Sequence, residues 1–508
     1  MKRIKKLLSF VICMSMVFTM MFGTMAFADT QTTEATISGL KANITVSGMK
    51  DGDALTAYQI IVPDIVNGHF IGYKFVKEVN DWVNSIPTFN NFFKDKPNYI
   101  DALGNSSTEF KDEFYSSLAT AIQKGDCSVV PLPDAGTSRE YKGCTVGQYL
   151  MIASGTDRVY RVSTASLLPE VSEAGYILNS TECSMKSSEI TITKKIDQEL
   201  KEVVKGLGDL VKYTVKADVP IYQAGAVDTK YYIEDTMPTG LEITTDASGY
   251  KFKVEGITTG GIVDLSDSKY YISKTINSSG YQLDFNYSEL NNITIGDAQV
   301  QLKQVVVTYT AKVTDEAAVG PAGNINEAKL IYSINPYVRE MYNTKTSTST
   351  VYTFGVTVVK YEVGKDNEKL PLKDAIFELQ KKSDNGYQDF DGKEYTTDSD
   401  GFVSITQLGE GEYQLVEVAA PVGYNKLTGP VTFTITAARN NDTQCLTGHV
   451  DGVEADPGYL KINIENAKTL IPSTGGSGTL IFTVIGILLM AGAIVYLIIR
   501  KRMASVAK

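Results

Sequence analysis

The sequence predicts an all-β protein of three tandem immunoglobulin-like β-sandwiches, placed between an N-terminal signal peptide and a C-terminal transmembrane helix. Short runs rich in Val, Ile, Thr and Tyr alternate in polarity through most of the 508 residues, which is typical of half-buried strands. Gly, Asn, Asp and Pro separate these runs, as expected for antiparallel turns. An apolar segment lies near each end of the chain.

The first 28 residues have the three parts of a secretory signal peptide. Basic residues precede an apolar run over 7–22, and an Ala-x-Ala cleavage site ends at Ala28. The apolar run is short and contains two serines and a threonine, which argues against a membrane-spanning anchor. We therefore expect a secreted mature chain that begins near Asp29.

Residues 470–508 combine three features in a fixed order: the pentapeptide Ile-Pro-Ser-Thr-Gly over 471–475, an apolar run over 480–499, and a basic cluster over 500–502. The apolar run is long enough to cross a bilayer as a helix, and the basic tail then lies in the cytoplasm. A single-pass anchor with a chance pentapeptide is one interpretation of this segment.

The same segment resembles the cell-wall sorting signal of sortase substrates, in which Leu-Pro-x-Thr-Gly precedes such a helix. Ile471 takes the place of the usual Leu. The resemblance implies that a sortase cysteine attacks the carbonyl of Thr474 and releases everything from Gly475 onward. The rest of the chain is then held as a thioester until an amine captures it, which leaves the protein on the cell wall.

The charge and composition of the chain argue against several classes of function. The formal net charge is -11, and no basic stretch occurs outside the two ends, which argues against nucleic-acid binding. The two histidines, His69 and His449, lie far apart in the sequence, and no nucleophile elbow, HExxH or paired-carboxylate motif is present. We therefore expect no metal site, no cofactor and no enzymatic activity on an external substrate.

Five cysteines occur, of which Cys13 lies in the signal peptide, and none forms a Cys-x-x-Cys pair that would indicate a metal site. Outside the cell, Cys127 and Cys144 are candidates for a disulfide. Because Cys183 belongs to the same expected domain, the pairing among these three stays open.

Domain boundaries are expected where strand-like runs end and polar residues intervene, near 187–188 and over 343–349. These boundaries predict domains over 29–186, 187–350 and 351–469. In the first domain, apolar residues recur every four positions and predict a small helical insert over 107–123. The residues of this stripe are Phe110, Phe114, Leu118 and Ile122.

Three polar residues of the last expected domain share the apolar faces of three different strands. Side chains alternate along a strand, so residues two apart point to the same side. Lys360, Glu417 and Asn466 continue the alternation of their apolar neighbours, which are Phe354, Val356 and Val358, Tyr413 and Leu415, and Ile462 and Ile464. Buried charges are costly unless they are paired or neutralised, so these three residues need a common explanation.

A resemblance around Glu417 explains these three polar residues. Residues 413–424 closely resemble the E-box of collagen-adhesin B-type domains of pilins, with Val418 in place of Thr. Their sequence is Tyr-Gln-Leu-Val-Glu-Val-Ala-Ala-Pro-Val-Gly-Tyr. The resemblance implies that Lys360 and Asn466 condense, with loss of ammonia, into an isopeptide bond promoted by Glu417. Burial favours a neutral amine and a neutral acid over the ion pair, which makes the amine a nucleophile. A plain buried Lys–Glu pair near an Asn is the alternative.

The middle domain repeats this design with Asp as the acid. Lys194, Asp235 and Asn326 continue the alternation of Ile192 and Ile196, Tyr231 and Ile233, and Ala328 and Leu330. Residues 233–241 and 323–328 resemble segments of pilin middle domains, which implies a second isopeptide bond, between the first strand and the expected last strand. Lys195, Glu234 and Asn324 are assigned to the opposite face and rejected. A satisfied polar cluster is the alternative.

Residues 53–60 and 147–150 resemble the N-terminal domain of major (backbone) pilins of Gram-positive sortase-assembled pili. The whole resemblance implies the structural backbone subunit of a covalently polymerised cell-surface pilus. Its implied partners are pilus-type and housekeeping sortases, identical subunits and peptidoglycan, with ancillary pilins or host matrix as further candidates. The other function considered is a monomeric wall-anchored adhesin, or an ancillary tip or base pilin, that binds host matrix.

In backbone pilins the lysine that captures the thioester precedes the middle domain, within a Tyr-Pro-Lys-Asn-like motif. Lys186 stands at that location, eight residues before Lys194, but its neighbours lack the aromatic residue and the proline. The resemblance therefore implies Lys186 as the polymerisation lysine, with an ordinary solvated lysine as the alternative.

Overall fold

The computed structural model describes residues 37–173, 175–247, 249–437, 448–449, 458–469 and 477–506. Two compact units divide the chain. The first contains Met1–Ser154, Tyr160–Ser187 and Gln223–Gly225, and the second contains Gly155–Val159, Ser188–Tyr222 and Ala226–Lys508. The expected signal peptide, residues 1–28, lies outside the described residues.

The first unit is built on two small sheets. In the three-stranded sheet, Lys41–Ser47 lies between a parallel Thr181–Ser184 and an antiparallel Glu140–Thr145. The four-stranded sheet is antiparallel, in the order His69–Phe75, Ala54–Val66, Gly147–Ser154 and Ser163–Leu167. Glu170–Ser172 pairs with Gly175–Ile177 as a separate hairpin. Ile44, Met151 and Leu167 are fully buried in the core of this unit.

The helical insert of the first unit is larger than predicted. The expected helix is present as Thr108–Lys124, with the Ser107 hydroxyl accepting a hydrogen bond from the Phe110 amide and Gly125 in the left-handed conformation at the other end. Three further helices precede it, Lys77–Ser85, Pro87–Phe93 and Tyr99–Gly104, and a short 3-10 turn follows at Gly136–Ser138. Trp82, Phe89 and Phe93, from the first two of these helices, pack against Phe114.

The second unit begins with a sandwich that we call the middle sandwich. One sheet has the order Ile192–Ile196, Leu210–Asp218, Leu302–Val313, Phe252–Thr258 and Ile262–Asp264, with Leu241–Ile243 also pairing with Leu302–Val313. The other sheet has the order Glu202–Val204, Tyr342–Tyr352, Asn324–Ser333, Tyr231–Thr236, Gly280–Phe285 and Tyr271–Asn277. Val, Ile, Leu and Tyr side chains from both inner faces form one hydrophobic core between the sheets.

Shorter elements complete the middle sandwich. Two-residue hairpins pair Thr245–Asp246 with Gly249–Tyr250 and Thr294–Ile295 with Ala298–Gln299. A 3-10 turn spans Ser268–Tyr270, and a single helical turn spans Tyr287–Asn291. Two further short strands, Arg158–Tyr160 and Ser187–Glu189, contain residues of both units.

The polar stretch 343–349, expected as a linker, lies instead within strand Tyr342–Tyr352. This strand pairs with Asn324–Ser333 along ten positions. Thr344, Thr346 and Thr348 are exposed and Ser349 is buried, and the polar composition of the strand is what resembled a linker in the sequence. The strand that carries Asn326 is therefore followed by one more strand of the same sandwich and is not the last.

A second sandwich follows, which we call the C-terminal sandwich. In one sheet Phe354–Val363 pairs with Tyr459–Glu465, Phe402–Leu408 and Lys369–Pro371; in the other the order is Gly386–Thr396, Ile376–Ser383, Gly411–Ala419, Val431–Ala437 and Gly448–His449. A 3-10 turn spans Lys365–Asn367. This sandwich has its own core, which includes Val356, Phe377 and Leu415. The tandem β-sandwiches confirm the predicted all-β fold class, and the predicted helical insert of the first domain is present as well.

The last described element is helix Ser477–Val506. Its segment Phe482–Met503 spans 22 residues with a mean hydropathy of 2.7, which is long and apolar enough to cross a membrane. The apolar run predicted at the C-terminus is therefore helical.

The two sandwiches of the second unit meet backbone to backbone. The Leu207 amide donates to the Gln407 carbonyl at 2.7 Å, and Gly206 and Gly409 face each other so closely that a Cβ on Gly409 would lie 2.5 Å from the Gly206 nitrogen. Val204, from the middle sandwich, belongs to the core of the C-terminal sandwich. Only glycine permits this approach, because any side chain would push the two backbone segments apart.

Replacing Gly409 by Ala should destabilise the second unit by about 1–3 kcal/mol, because the added methyl group overlaps backbone that cannot move aside. Gly429→Ala is a matched control in the same sandwich, since its Cβ would meet nothing within 4 Å. Thermal unfolding of both variants measures the difference. Equal melting temperatures for the two variants would contradict the close approach at Gly409.

Candidate functional site: two buried lysine clusters

Lys194 lies in the core of the middle sandwich. Strand Ile192–Ile196 turns Ile192, Lys194 and Ile196 inward, and the Lys194 side chain has no exposed surface. The Lys194 amide donates to the Ser347 hydroxyl at 2.9 Å, which ties this edge strand to the opposite sheet. A lysine at this position is enclosed because the strand alternation leaves its side chain no other direction.

Asp235 and Asn326 reach the same space from the opposite sheet. Strand Tyr231–Thr236 pairs with Asn324–Ser333 so that Asp235 lies opposite Ala328. Residues two apart on a strand share a face, so Asn326 lies beside Asp235 on the inner face. Both side chains are buried.

Tyr309 connects these groups. The Lys194 amine donates to Oδ2 of Asp235, and the Tyr309 hydroxyl donates to the same oxygen at 2.9 Å. The Tyr309 hydroxyl also accepts a hydrogen bond from Nδ2 of Asn326 at 2.9 Å. The rings of Tyr213 and Tyr309 lie 5.0 and 5.5 Å from the lysine nitrogen. Four polar groups thus form one connected chain inside an aromatic wall.

The C-terminal sandwich holds the second cluster. Strands Phe354–Val363 and Tyr459–Glu465 are parallel neighbours with Lys360 opposite Ile464, which brings Asn466 to the lysine. The Lys360 amine donates to Oδ1 of Asn466 at 2.6 Å and lies 3.0 Å from Oε1 of Glu417. Nδ2 of Asn466 donates to that same carboxylate oxygen at 3.0 Å. Acid, amine and amide therefore contact one another directly.

Glu417 is held in place by the surrounding backbone. Its second oxygen, Oε2, accepts a hydrogen bond from the Leu427 amide at 2.7 Å. The Phe377 ring lies 5.4 Å from the lysine nitrogen, on the strand next to the one that carries Glu417. These contacts leave Oε1 aimed at both the Lys360 amine and the Asn466 amide.

Burial shifts the pKa values of Lys194, Asp235 and Lys360 in the direction that condensation of an amine with an amide requires. Desolvation lowers the pKa of Lys194 to about 8, although the charge of Asp235 opposes the shift. Desolvation also raises the pKa of Asp235 and lowers the pKa of Lys360. A lowered amine pKa and a raised acid pKa both favour the neutral pair, in which the amine has a free electron pair for attack.

All six residues singled out from the sequence are thus assembled into two triads, Lys194 with Asp235 and Asn326, and Lys360 with Glu417 and Asn466. Sequence reasoning missed Tyr309. The signal was present, because Tyr309 falls on the inward alternation of Val305, Val307 and Ala311 in strand Leu302–Val313. A tyrosine on an apolar face gives no sign of its partners, however, until the opposite sheet is placed.

The reason given for rejecting Asn324 is wrong. Asn324 is two residues from Asn326 and shares its buried face. Its side chain is used elsewhere, because Oδ1 accepts from the Ala318 amide and Nδ2 donates to the carbonyls of Ala318 and Val351. Asn324 therefore fixes a loop and is not positioned beside Lys194.

Lys186 is exposed and lies between strands Thr181–Ser184 and Ser187–Glu189. Its carbonyl accepts a hydrogen bond from the Arg161 amide at 2.9 Å, so the backbone is held while the side chain points outward. Thr474 and Gly475, the expected sortase cleavage site, lie outside the described residues.

The structure also places three of the cysteines. Cys127, Cys144 and Cys183 are buried free thiols, so the candidate disulfide between Cys127 and Cys144 is not formed. Cys13 and Cys445 lie outside the described residues. Within the described part of the chain, no group of three or more His, Cys, Asp and Glu side chains is arranged to hold a metal ion.

Two segments of the chain match known families. Residues 356–447 match the SpaA family, a prealbumin-like fold domain, and residues 463–504 match the LPXTG cell wall anchor motif. Together with the apolar helix Phe482–Met503, the anchor motif defines this chain as a cell-wall-anchored surface protein.

Comparisons over most of the chain found proteins that are similar to it in sequence or in fold. The chain is homologous to the trypsin-resistant surface T6 protein of Streptococcus pyogenes serotype M6, with 27% identity over 408 residues that cover 66% of this chain and 72% of the relative. Its fold is similar to the solved T6 backbone pilin of that organism, with a TM-score of 0.59 and 20% identity, over 84% of this chain and 98% of that structure. The solved full-length major pilin SpaD of Corynebacterium diphtheriae matches with a TM-score of 0.48 and 18% identity. That match covers 84% of this chain and 98% of the SpaD structure.

The lowered pKa of Lys194 predicts a pH dependence in the variant Asn326→Ala, where no bond can form. The folded state holds the lysine proton less tightly than the unfolded state, whose pKa is near 10.5, so stability should rise with pH between those values. From pH 7.5 to 9.5 we expect a gain of about 2 kcal/mol.

Urea unfolding at both pH values measures this gain. The control is the double variant Lys194→Met/Asn326→Ala, which shares every other titrating group. Stability curves of the same slope against pH in the two variants would contradict a depressed lysine pKa.

Proposed function

We propose that this protein is the structural backbone subunit of a covalently polymerised cell-surface pilus. The observation that carries the proposal is the pair of buried Lys–acid–Asn triads in successive sandwiches of a chain that ends in a cell-wall anchor. Homology to the T6 surface protein and the shared fold support it. The role is structural, and the only reactions we assign are those that crosslink the chain itself and its copies.

Each triad forms an isopeptide bond in this proposal. The acid takes one proton from the lysine ammonium, and the neutral amine attacks Cγ of the asparagine. The acid then delivers a proton to Nδ2, the carbon–nitrogen bond to Nδ2 breaks and ammonia leaves, and the acid takes the second proton from the amine nitrogen. Three ammonium and two amide hydrogens become one amide hydrogen, one ammonia molecule and one proton on the acid, so atoms and charge balance.

The two isopeptide bonds would stabilise the folded subunit and would carry a pulling force applied to its ends. Lys360 and Asn466 are 106 residues apart in the sequence, and closing a loop of that size is worth about 4–5 kcal/mol in the chain-entropy account. An amide crosslink cannot be reduced, in contrast to a disulfide. Pulling on the ends then loads covalent bonds before most of the strand pairs, which suits a shaft under tension.

Polymerisation is proposed to use the two groups outside the triads. A sortase would hold the chain as a thioester at Thr474 after release of Gly475, and the Lys186 amine of the next subunit would capture it. The exposure of Lys186 supports this role. A housekeeping sortase would join the last subunit to peptidoglycan. We also propose the three-domain division 29–186, 187–350 and 351–469, with the second boundary moved to the end of strand Tyr342–Tyr352. Separate cores in the two sandwiches support this division.

The recombinant ectodomain, without the signal peptide and the sorting signal, should weigh about 34 Da less than its sequence requires, because each bond expels one ammonia of about 17 Da. Glu417→Ala should restore one ammonia and Asp235→Ala the other, since without the acid no group carries the proton. Intact-mass spectrometry with peptide mapping distinguishes the two bonds. The full calculated mass for the unaltered protein would refute both bonds.

Cells that make this protein should show it as an SDS-resistant ladder of high-mass species, because an amide between Thr474 and a lysine survives denaturation. Lys186→Arg should collapse the ladder to monomer and leave both internal bonds intact, since arginine keeps the charge but stays protonated and cannot act as the nucleophile. Immunoblots of cell-wall extracts measure the ladder.

Lys195→Arg is the matched control for this experiment, a nearby lysine outside both triads. A ladder that persists in Lys186→Arg would assign the acceptor to another lysine. Absence of any ladder in the parent strain would favour a monomeric wall-anchored adhesin or an ancillary pilin.

A further inference from the structure

We propose that the Tyr309 hydroxyl relays the proton between Asp235 and the Asn326 amide while the bond of the middle sandwich forms. This inference deepens the proposed function and rests on it. It assigns Tyr309 a place in the reaction, whereas the C-terminal sandwich reaches the same result with a carboxylic acid alone.

The two clusters differ in how the acid meets the amide. In the C-terminal sandwich, Oε1 of Glu417 lies 3.0 Å from the lysine nitrogen and 3.0 Å from Nδ2 of Asn466, so one oxygen serves both reacting groups. Asp235 is one methylene shorter. In the middle sandwich, the hydrogen-bonded path from the acid to Nδ2 of Asn326 runs through the Tyr309 hydroxyl, with two contacts of 2.9 Å each.

The reaction needs a proton to cross this path. When Lys194 attacks, Asp235 holds the proton that the ammonium has lost, and Nδ2 must gain a proton before it leaves as ammonia. Before the attack, Nδ2 donates to Tyr309, which in turn donates to Asp235. Addition of the amine turns the planar amide nitrogen into one with an electron pair, so both hydrogen bonds can reverse. Asp235 then gives its proton to Tyr309 as Tyr309 gives its own to Nδ2. The Asp235 carboxylate restored in this way takes the second proton from the attacking nitrogen, so the products are one amide hydrogen, ammonia and a protonated Asp235.

A hydroxyl suits this step because it donates and accepts at once. Burial raises the pKa of Tyr309 far above its ordinary value, so the side chain keeps its proton and carries no charge of its own. The ring is fixed by stacking on Tyr213 at 5.1 Å, its neighbour across strands Leu210–Asp218 and Leu302–Val313. The hydroxyl is therefore held between its two partners before the reaction starts.

Tyr281 provides a matched control. Its ring lies 5.6 Å from the Tyr309 ring, it is equally enclosed, and its hydroxyl has no hydrogen-bond partner within the described part of the chain. Tyr281→Phe removes one oxygen atom from the same core without touching the relay.

The test uses the full chain, made in a host without a sortase, in four forms: unaltered, Tyr309→Phe, Tyr281→Phe, and Tyr309→Phe/Asp235→Glu. Samples are denatured at intervals after synthesis, and digests are analysed by mass spectrometry for the Lys194–Asn326 and Lys360–Asn466 crosslinked peptides. Tyr309→Phe should slow the first crosslink by about 10²-fold and leave the second unchanged. Tyr281→Phe should match the unaltered chain.

The double variant Tyr309→Phe/Asp235→Glu tests the chemistry apart from packing, because the added methylene lets the acid reach the amide directly, as Glu417 does. Restoration of the crosslink in this variant is the expected result, and failure to restore it would overturn the relay in favour of a packing role. A normal crosslinking rate in Tyr309→Phe would also overturn it. Absence of the Lys194–Asn326 crosslink from the unaltered chain would instead refute the proposed bond itself, and the relay with it.

Discussion

Two lysine side chains without any exposed surface, Lys194 and Lys360, set the conditions that the rest of the structure meets. An ammonium in a dry core costs several kcal/mol unless it is paired or loses its proton. Each lysine is therefore met by an acid and an asparagine from other strands. A slip of one residue in any of these strands would turn the polar side chain outward, so the clusters also demand one particular strand register.

This constraint explains the arrangement of the two sandwiches under load. In the C-terminal sandwich the cluster joins the first strand to the residue that follows the last strand, so tension between the ends meets the crosslink directly. In the middle sandwich Asn326 is followed by strand Tyr342–Tyr352. Tension there reaches the crosslink only after passing through a hairpin that lies outside it. The two sandwiches should therefore yield differently before their bonds bear the load.

The sequence predicted the fold class and all six triad residues because strand alternation is local, and a polar residue on an apolar face is visible without a structure. It did not predict strand Tyr342–Tyr352, whose Ser and Thr side chains look like a linker, or the three helices before Thr108–Lys124. The role of Tyr309 was not predicted from the sequence for a different reason. Its place beside Asp235 depends on how two sheets face each other, which no local pattern encodes, and the misassignment of Asn324 shows that a shared face does not fix a partner.

Stretching single molecules of the mature chain between their ends tests the central claim, that both sandwiches are closed by covalent bonds. Crosslinked sandwiches should release only chain outside the bonds, including the hairpin after Asn326, while residues 194–326 and 360–466 stay locked at any force that leaves the backbone intact. Freed chain adds roughly 3.5 Å per residue. Two further steps of roughly 350 Å or more, one for each sandwich, would contradict the account.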